Sequence, residues 1–241
     1  MTFDPFGDFA TRGYLRNFAN ETDLDIVRRL EHSSFTTGLD QAFAELAKAE
    51  RISYGHVLGT HKTLFEAVYP WAGQDRTQTA PDIAVVKGNV LFAHPADIRT
   101  AIDIALRDGS DRDFMGTKPG EVMGYLAYGH PFLDGNGRTI MVIHSVLAQR
   151  AGFSIDWAAT SKTDYLNALT SELDMPGEGA LDGYLKPFMR EAVDYEGLAA
   201  AVVLAPGLDG KADELNQVLG KTGEPAVQAR YERQQLKRKK K

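Results

Sequence analysis

From Arg138 to Ala151 the chain is apolar on nearly every side, with Ile140, Met141, Val142, Ile143, Val146, Leu147 and Ala148 leaving no polar face. A helix of that composition has to be surrounded by other elements, so the run predicts the central helix of a bundle, ended by Gly152. The rest of the patterning supplies the surround. Apolar residues recur at helical spacing over Leu24–His32, Leu39–Ala49 and Tyr54–Tyr69, where Pro70 stops the run. Helical spacing returns over Ala96–Leu106, Pro119–Tyr128, Asp164–Leu173 and Gly179–Val193. Between these lie two short apolar runs, Ile83–Val86 and Val90–Phe92, around the turn-prone Lys87-Gly88-Asn89. That sequence predicts a small β-hairpin, an isolated flap leaning on the helical body. The expected fold class is all-α, a helical bundle with one β-hairpin flap.

Beyond Glu196 the character changes. Leu198–Leu204 is small and apolar, Pro206–Gly210 is a turn cluster, and a further helix is expected over Ala212–Leu219. The segment from Gln228 is polar and ends in Lys237–Lys241, a basic run that reads as a solvated tail. Net charge is -6, against the basic face that a nucleic-acid binder carries. There are no cysteines, which excludes disulfides and thiolate metal sites and fits a reducing compartment. No secretory leader is visible at the N-terminus, and no run approaches the roughly 18 apolar residues of a membrane span. A cytoplasmic globular protein is expected.

Chemistry concentrates between the end of one helix and the start of the buried one, in His130-Pro-Phe-Leu-Asp-Gly-Asn-Gly-Arg138. Pro131 disfavours helical geometry at His130, so the chain turns out there. The next helix begins at once, and the free N–H groups of its first turn form a site for phosphate oxygens. His130 has the chemistry of a general base. Asp134 can ligate Mg²⁺, and Arg138 can pair with phosphate through two hydrogen bonds.

These nine residues resemble the motif of the Fic family, His-x-Phe-x-(Asp/Glu)-Gly-Asn-Gly-Arg-x-x-Arg. Tyr69-Pro-Trp-Ala-Gly-Gln-Asp-Arg76 is similar to the family's segment before the flap, and the resemblance spans about residues 54–188. It implies a Fic domain over 1–195, including an N-terminal helical extension, followed by a C-terminal extension over 196–241. It also implies protein nucleotidyl transfer, with AMPylation foremost. His130 would deprotonate a Ser, Thr or Tyr hydroxyl of a target protein, which would attack the α-phosphate of ATP. Asp134 would hold Mg²⁺. Gly135, Asn136 and Gly137 would form the anion hole, Arg138 would grip the β-phosphate, and Phe132 would anchor the loop in the core. Tyr165 would sit at the base pocket. The flap turn Lys87, Gly88, Asn89 and Val90 would dock the target by strand addition.

One motif position departs. Its last Arg falls on residue 141, which is Met, one helical turn from Arg138. The resemblance would give that Arg the γ-phosphate, so its loss leaves UTP, GTP, CDP-choline or a kinase-type reaction open beside ATP, together with a non-catalytic binding module. His144 reads as a core histidine. The family's inhibitory pattern (Ser/Thr)-x-x-x-Glu-(Gly/Asn) has no match, the nearest being Asp174–Gly179. Regulation by a separate antitoxin is therefore the expectation, for a bacterial toxin or a translocated effector.

Overall fold

The computed structural model describes residues 2–208 and 215–239. A short helix α1 (Phe9–Arg12) leads into α2 (Leu24–Lys48) and α3 (Tyr54–Phe65). After α4 (Arg76–Thr79) comes the hairpin of β1 (Ile83–Lys87) and β2 (Val90–Leu91). Helices α5 (Ile98–Ser110), α6 (Arg112–Thr117), α7 (Pro119–Gly129) and α8 (Asn136–Ala151) follow. Then come β3 (Phe153–Ile155), α9 (Lys162–Asp174), α10 (Ala180–Leu185), β4 (Met189–Glu191) and α11 (Tyr195–Val203). The described chain closes with β5 (Gln217–Lys221) and α12 (Pro225–Lys239). None of the described helices is long and apolar enough to cross a membrane.

Helix α8 is the buried centre that its composition predicts. It packs against α2, α3, α5, α6, α7, α11 and β3. Residues Thr139 to Ala148 are buried throughout, and Gly152 ends the helix at φ 99°. Pro119 starts α7, where its missing N–H costs nothing.

Six expectations are corrected. The helices expected at Leu24–His32 and Leu39–Ala49 are one continuous α2. The intervening Ser33-Ser34-Phe35-Thr36-Thr37-Gly38 has poor helix propensity, but tertiary contacts override it. Phe35 is fully buried, and Ser34 Oγ donates to the Leu64 carbonyl at 2.7 Å. Gly38 lets α2 close on α3, since a Cβ there would lie 2.6 Å from the Thr63 carbonyl oxygen. Next, the helix expected to reach Tyr69 ends at Phe65, and Val68 and Tyr69 turn back onto the Phe65 carbonyl. The helix expected over Gly179–Val193 is only α10; Pro187 interrupts it, and Met189–Glu191 instead pairs antiparallel with β3.

The fourth correction concerns the flap, which is not isolated. Its sheet runs β2-β1-β5, with both pairings antiparallel and the C-terminal strand on the outer side of β1. The helix expected over Ala212–Leu219 is therefore strand at Gln217–Leu219; its residues 212–214 lie outside the described residues. The polar segment after Gln228 is helical in α12, whose Val227 and Tyr231 are buried against Ala84, Val86 and Leu91 of the flap. Arg238 stacks on the Tyr128 ring at 3.4 Å, so the basic run is partly docked. Lys240 and Lys241 lie outside the described residues.

Candidate active site

Helix α7 ends on His130, whose backbone is left-handed at φ 41° and ψ 58°. A non-glycine residue holds that conformation only where its surroundings enforce it. Here Arg76 does so. Its Nε donates to the His130 carbonyl at 2.8 Å, its backbone N–H to the Pro131 carbonyl at 2.7 Å, and its Nη2 to the Ala93 carbonyl at 2.9 Å. The fully buried guanidinium thus fastens the loop to the chain entering and leaving the flap. The imidazole stacks flat on Phe92, with centroids 3.6 Å apart and planes 7° from parallel. Burial first, then the charges of Arg76 and Lys87, push the His130 pKa well below its ordinary value. The ring is neutral at pH 7, as a base must be.

The rest of the loop is braced from inside. Phe132 is fully buried and stacks on His61 at 3.7 Å, the anchoring role expected of it. His61 accepts from the Gly73 N–H at Nδ1 (2.9 Å), so its proton sits on Nε2 and is donated to the Asp134 carbonyl at 3.1 Å. Asn136 accepts the Phe132 N–H at Oδ1 (2.9 Å) and donates from Nδ2 to the Phe132 carbonyl (2.8 Å). The same amide lies 3.2 Å from His130 Nε2. The Asn136 side chain therefore orients the base and closes the loop, and what it offers an anion is its backbone N–H.

Gly135 is the residue before α8 at φ 74°, and with no side chain it leaves the first N–H groups of that helix uncapped. A Cβ there would lie 2.5 Å from the Phe65 ring. Gly137 is exposed, with open space where its Cβ would be. A helix N-terminus left open in this way binds negatively charged oxygens. Beside it, the Asp134 carboxylate accepts from the Gly135 N–H at 2.7 Å and from the Tyr14 hydroxyl at 3.0 Å. The Arg138 guanidinium lies over the Phe65 ring at 4.6 Å and pairs with Glu31 at 3.0 Å, while its Nη1 is buried without a partner. That unpaired nitrogen leaves donor capacity for a further anion. A cavity of about 140 Å³, lined by Tyr14, Glu31, Asp134, Gly137, Arg138 and Leu215 among others, opens onto this helix end.

His130, Asp134, Gly135, Asn136, Gly137 and Arg138 are thus brought together. The flap turn lies alongside: Lys87 and Val90 are a cross-strand pair, with Gly88 and Asn89 exposed between them. Tyr165 is not brought in. Its ring packs edge-on against Trp157 at 6.0 Å and beside Tyr184, and it is absent from the cavity lining. Met141 is buried in the core, so α8 itself carries no charge at the position one turn beyond Arg138. His144 donates from Nε2 to the Pro119 carbonyl at 2.9 Å, and burial lowers its pKa to about 4. It is a core histidine, as its sequence position suggested.

Residues at the site that are absent from the sequence reading include Tyr14, Glu31 and Asn216. Glu31 arrives from α2, accepts the Tyr69 hydroxyl at 2.6 Å and holds Arg138. Its surroundings fail the inhibitory pattern, because Val27 stands at the Ser/Thr place and His32 at the Gly/Asn place. Asn216 donates from Nδ2 to the Leu133 carbonyl at 2.9 Å, which sets its side chain beside the His130 ring. No local signal marked either residue, since each reaches the motif loop across more than eighty positions of chain.

Residues 51–148 match the Fic/DOC family. The protein adenylyltransferase VbhT of Bartonella schoenbuchensis is 31% identical over 174 residues, covering 68% of this chain; the chain spans only 35% of VbhT. The probable protein adenylyltransferase y4lH of Sinorhizobium fredii is 27% identical over 164 residues, covering 64% of this chain and 81% of that protein. In fold, the chain resembles the AMPPNP-bound BepC effector of Bartonella tribocorum, with TM-score 0.59 and 15% identity over 73% of this chain and 92% of BepC. An ADP-bound Fic domain of Bartonella quintana gives TM-score 0.57 at 19% identity, over 70% of this chain and 87% of that one. On this match and these relatives together, residues 51–148 are a domain of the Fic/DOC family.

Proposed function

We propose that this protein transfers a nucleoside monophosphate, AMP in the first instance, from a Mg²⁺-bound nucleoside triphosphate to a hydroxyl of a target protein. The main support is a neutral, buried His130, locked by Arg76, Phe92 and Asn136 beside an uncapped helix end that also carries Asp134 and Arg138. That both curated relatives bear the name adenylyltransferase favours AMP.

In this reading His130 takes the hydroxyl proton as the oxygen attacks the α-phosphorus. The backbone N–H groups of Asn136, Gly137 and Arg138 hold the phosphate oxygens where negative charge develops. Arg138 orients the β-phosphate, and pyrophosphate leaves. Mg²⁺ suits a single carboxylate plus phosphate oxygens, and Asp134, partly exposed on the cavity wall, is the residue that would hold it. The ion would neutralise phosphate charge. Lys87 to Val90, at the flap turn, would face the target. The protein would act in a bacterial cytoplasm or as a translocated effector, under control of a separate antitoxin or of its own extensions.

One observation favours a second donor. Met141 is buried where the family motif has an arginine, so this chain offers the γ-phosphate no guanidinium at that place. A donor gripped only through its α- and β-phosphates fits as well. Incubation with lysate, Mg²⁺ and a panel of labelled ATP, GTP, UTP and CDP-choline tests both readings, with His130→Ala as control. Label from ATP that disappears in the variant is the expected outcome. Label from another donor alone replaces AMP, and label surviving in His130→Ala sinks the mechanism.

A further inference from the structure

Strand addition to the flap needs an open sheet edge, and the outer edge of β1 is already taken by the chain's own strand β5. Val85 gives its carbonyl to the Phe92 N–H at 3.1 Å, so by alternation Asp82, Ala84 and Val86 turn theirs the other way. On that side lies β5, with Val86 opposite Gln217, Ala84 opposite Gly220, and the Thr222 N–H bonded to the Asp82 carbonyl at 2.8 Å. On the far side, Gln234 of α12 donates to the Leu91 carbonyl. Val227 and Tyr231 of the same helix cover the apolar face formed by Ala84, Val86 and Leu91.

The segment just before β5 runs across the base. Leu215 lines the cavity at the anion-binding helix end. Asn216, 9% exposed, is tied to the Leu133 carbonyl of the motif loop, and its side chain lies beside the His130 ring. Thus one extended stretch passes over the site, places a polar side chain on the base, and continues as a strand on the flap. A target docked by strand addition would follow the same course, with a hydroxyl at that side chain. Asparagine has none.

We propose that residues 215–221 are a built-in stand-in for the target, lying antiparallel to β1 with Asn216 at the place of the accepting hydroxyl. This rests on the nucleotidyl-transfer reading above. It further assigns the target an extended segment of the same polarity, whose residue after the acceptor pairs with Val86. Because the stand-in is tethered, its effective concentration is high, and a target has to displace it.

Two arms test this on the full chain. In the first, Asn216→Ser, Asn216→Thr and Asn216→Tyr chains are incubated with Mg²⁺ and ATP and mapped by mass spectrometry. The new hydroxyl attacks the α-phosphorus, its proton goes to His130, the bond to the β-phosphate breaks, and pyrophosphate leaves. One nucleotide at residue 216 is expected in at least one variant, none in the parent chain, and none when His130→Ala is added. In the second arm a fluorescent peptide spanning residues 213–223 is titrated into the parent chain and into Gln217→Pro, which removes a strand N–H facing Val86. The variant should bind it about tenfold more tightly or better, because the tethered competitor is loosened. Equal binding to both chains overturns the proposal. So does a lysate protein that is labelled while no residue-216 variant is. If nothing is labelled by any chain while the peptide still prefers Gln217→Pro, the stand-in stands and the transfer reading falls.

Discussion

The site has two walls built in different ways. The inner wall is the loop from His130 to Arg138, fastened by Arg76, His61 and Phe132 from within the domain that matches the family. The outer wall is assembled from both ends of the chain: Tyr14 on Asp134, Glu31 on Arg138, Asn216 on His130. Inner contacts set the geometry of chemistry and go mostly to backbone carbonyls and ring faces. Outer contacts each engage a side chain that the chemistry needs. The difference separates what makes this protein capable of transfer from what holds it closed, so inner-wall changes should destroy activity and outer-wall changes should raise it.

The sharpest test of the inner wall is His130→Ala. General-base catalysis contributes roughly 10²- to 10⁴-fold, so kcat for transfer should fall by that amount. Nucleotide affinity, set by the α8 terminus and Arg138, should change little in isothermal titration. A large loss of affinity with kcat preserved would break the division of roles. Gly135→Ala is next. Its Cβ would strike the fully buried Phe65 ring at a left-handed backbone position, so a loss of about 1–3 kcal/mol is expected from overpacking alone. Thermal unfolding reads the loss, and activity should fall with it as the loop shifts.

The same division explains what could be read from sequence. The inner wall was legible because its reactive groups are contiguous: His130, Asp134 and Arg138 lie within nine residues, and the buried run after them fixes α8 at the centre. The outer wall was not legible, because no local pattern encodes it. Leu215, Val218 and Leu219 have the spacing of a helix, and only the distant edge of β1 makes residues 217–221 a strand. In α12 the docking face is Val227 and Tyr231, four residues apart, too sparse a signal against a polar background. Ser33 to Gly38 read as a break because propensity is local, whereas Gly38 is needed for the approach of α3. Arg76 lies in the recognisable segment before the flap, yet its task emerges only from the carbonyls of Ala93, His130 and Pro131 that converge on it.

A pH series probes the inner wall without mutation. Burial holds His61 down at about 3 and His144 at about 4, with His130 also well below 6.5. In the unfolded chain all three titrate near 6.5, so below that pH the unfolded state binds protons that the native state refuses. Stability is complete above about pH 7 and declines as pH falls from about 6.5 towards 4, by about 1.4 kcal/mol per pH unit for each histidine at most. Urea unfolding from pH 7.5 to 5 should show this acid-side decline, reduced in a His144→Gln chain. Transfer should keep its rate below pH 6.5, since His130 stays neutral there. An acid limb centred at 6.5 would mean that the imidazole is freely solvated and the wall is open.

The outer wall is probed most gently by Glu31→Gln. The amide keeps the size of the carboxylate and an acceptor for Tyr69, but it removes the charge that Arg138 now faces. Glu31 is itself strained, its pKa raised by burial and only partly offset by Arg138. Breaking a buried pair leaves the surviving charge uncompensated, so the variant without nucleotide should unfold more easily. Phosphate is the natural replacement partner for a guanidinium. Nucleotide should therefore bind the variant severalfold more tightly, roughly 1 kcal/mol in favour, and restore much of the lost stability. The two shifts have opposite sign, which a structural role for Glu31 alone does not produce. Equal destabilisation with and without nucleotide would make the Glu31–Arg138 pair part of the scaffold. The outer wall would then reduce to Tyr14 and the strand at Asn216.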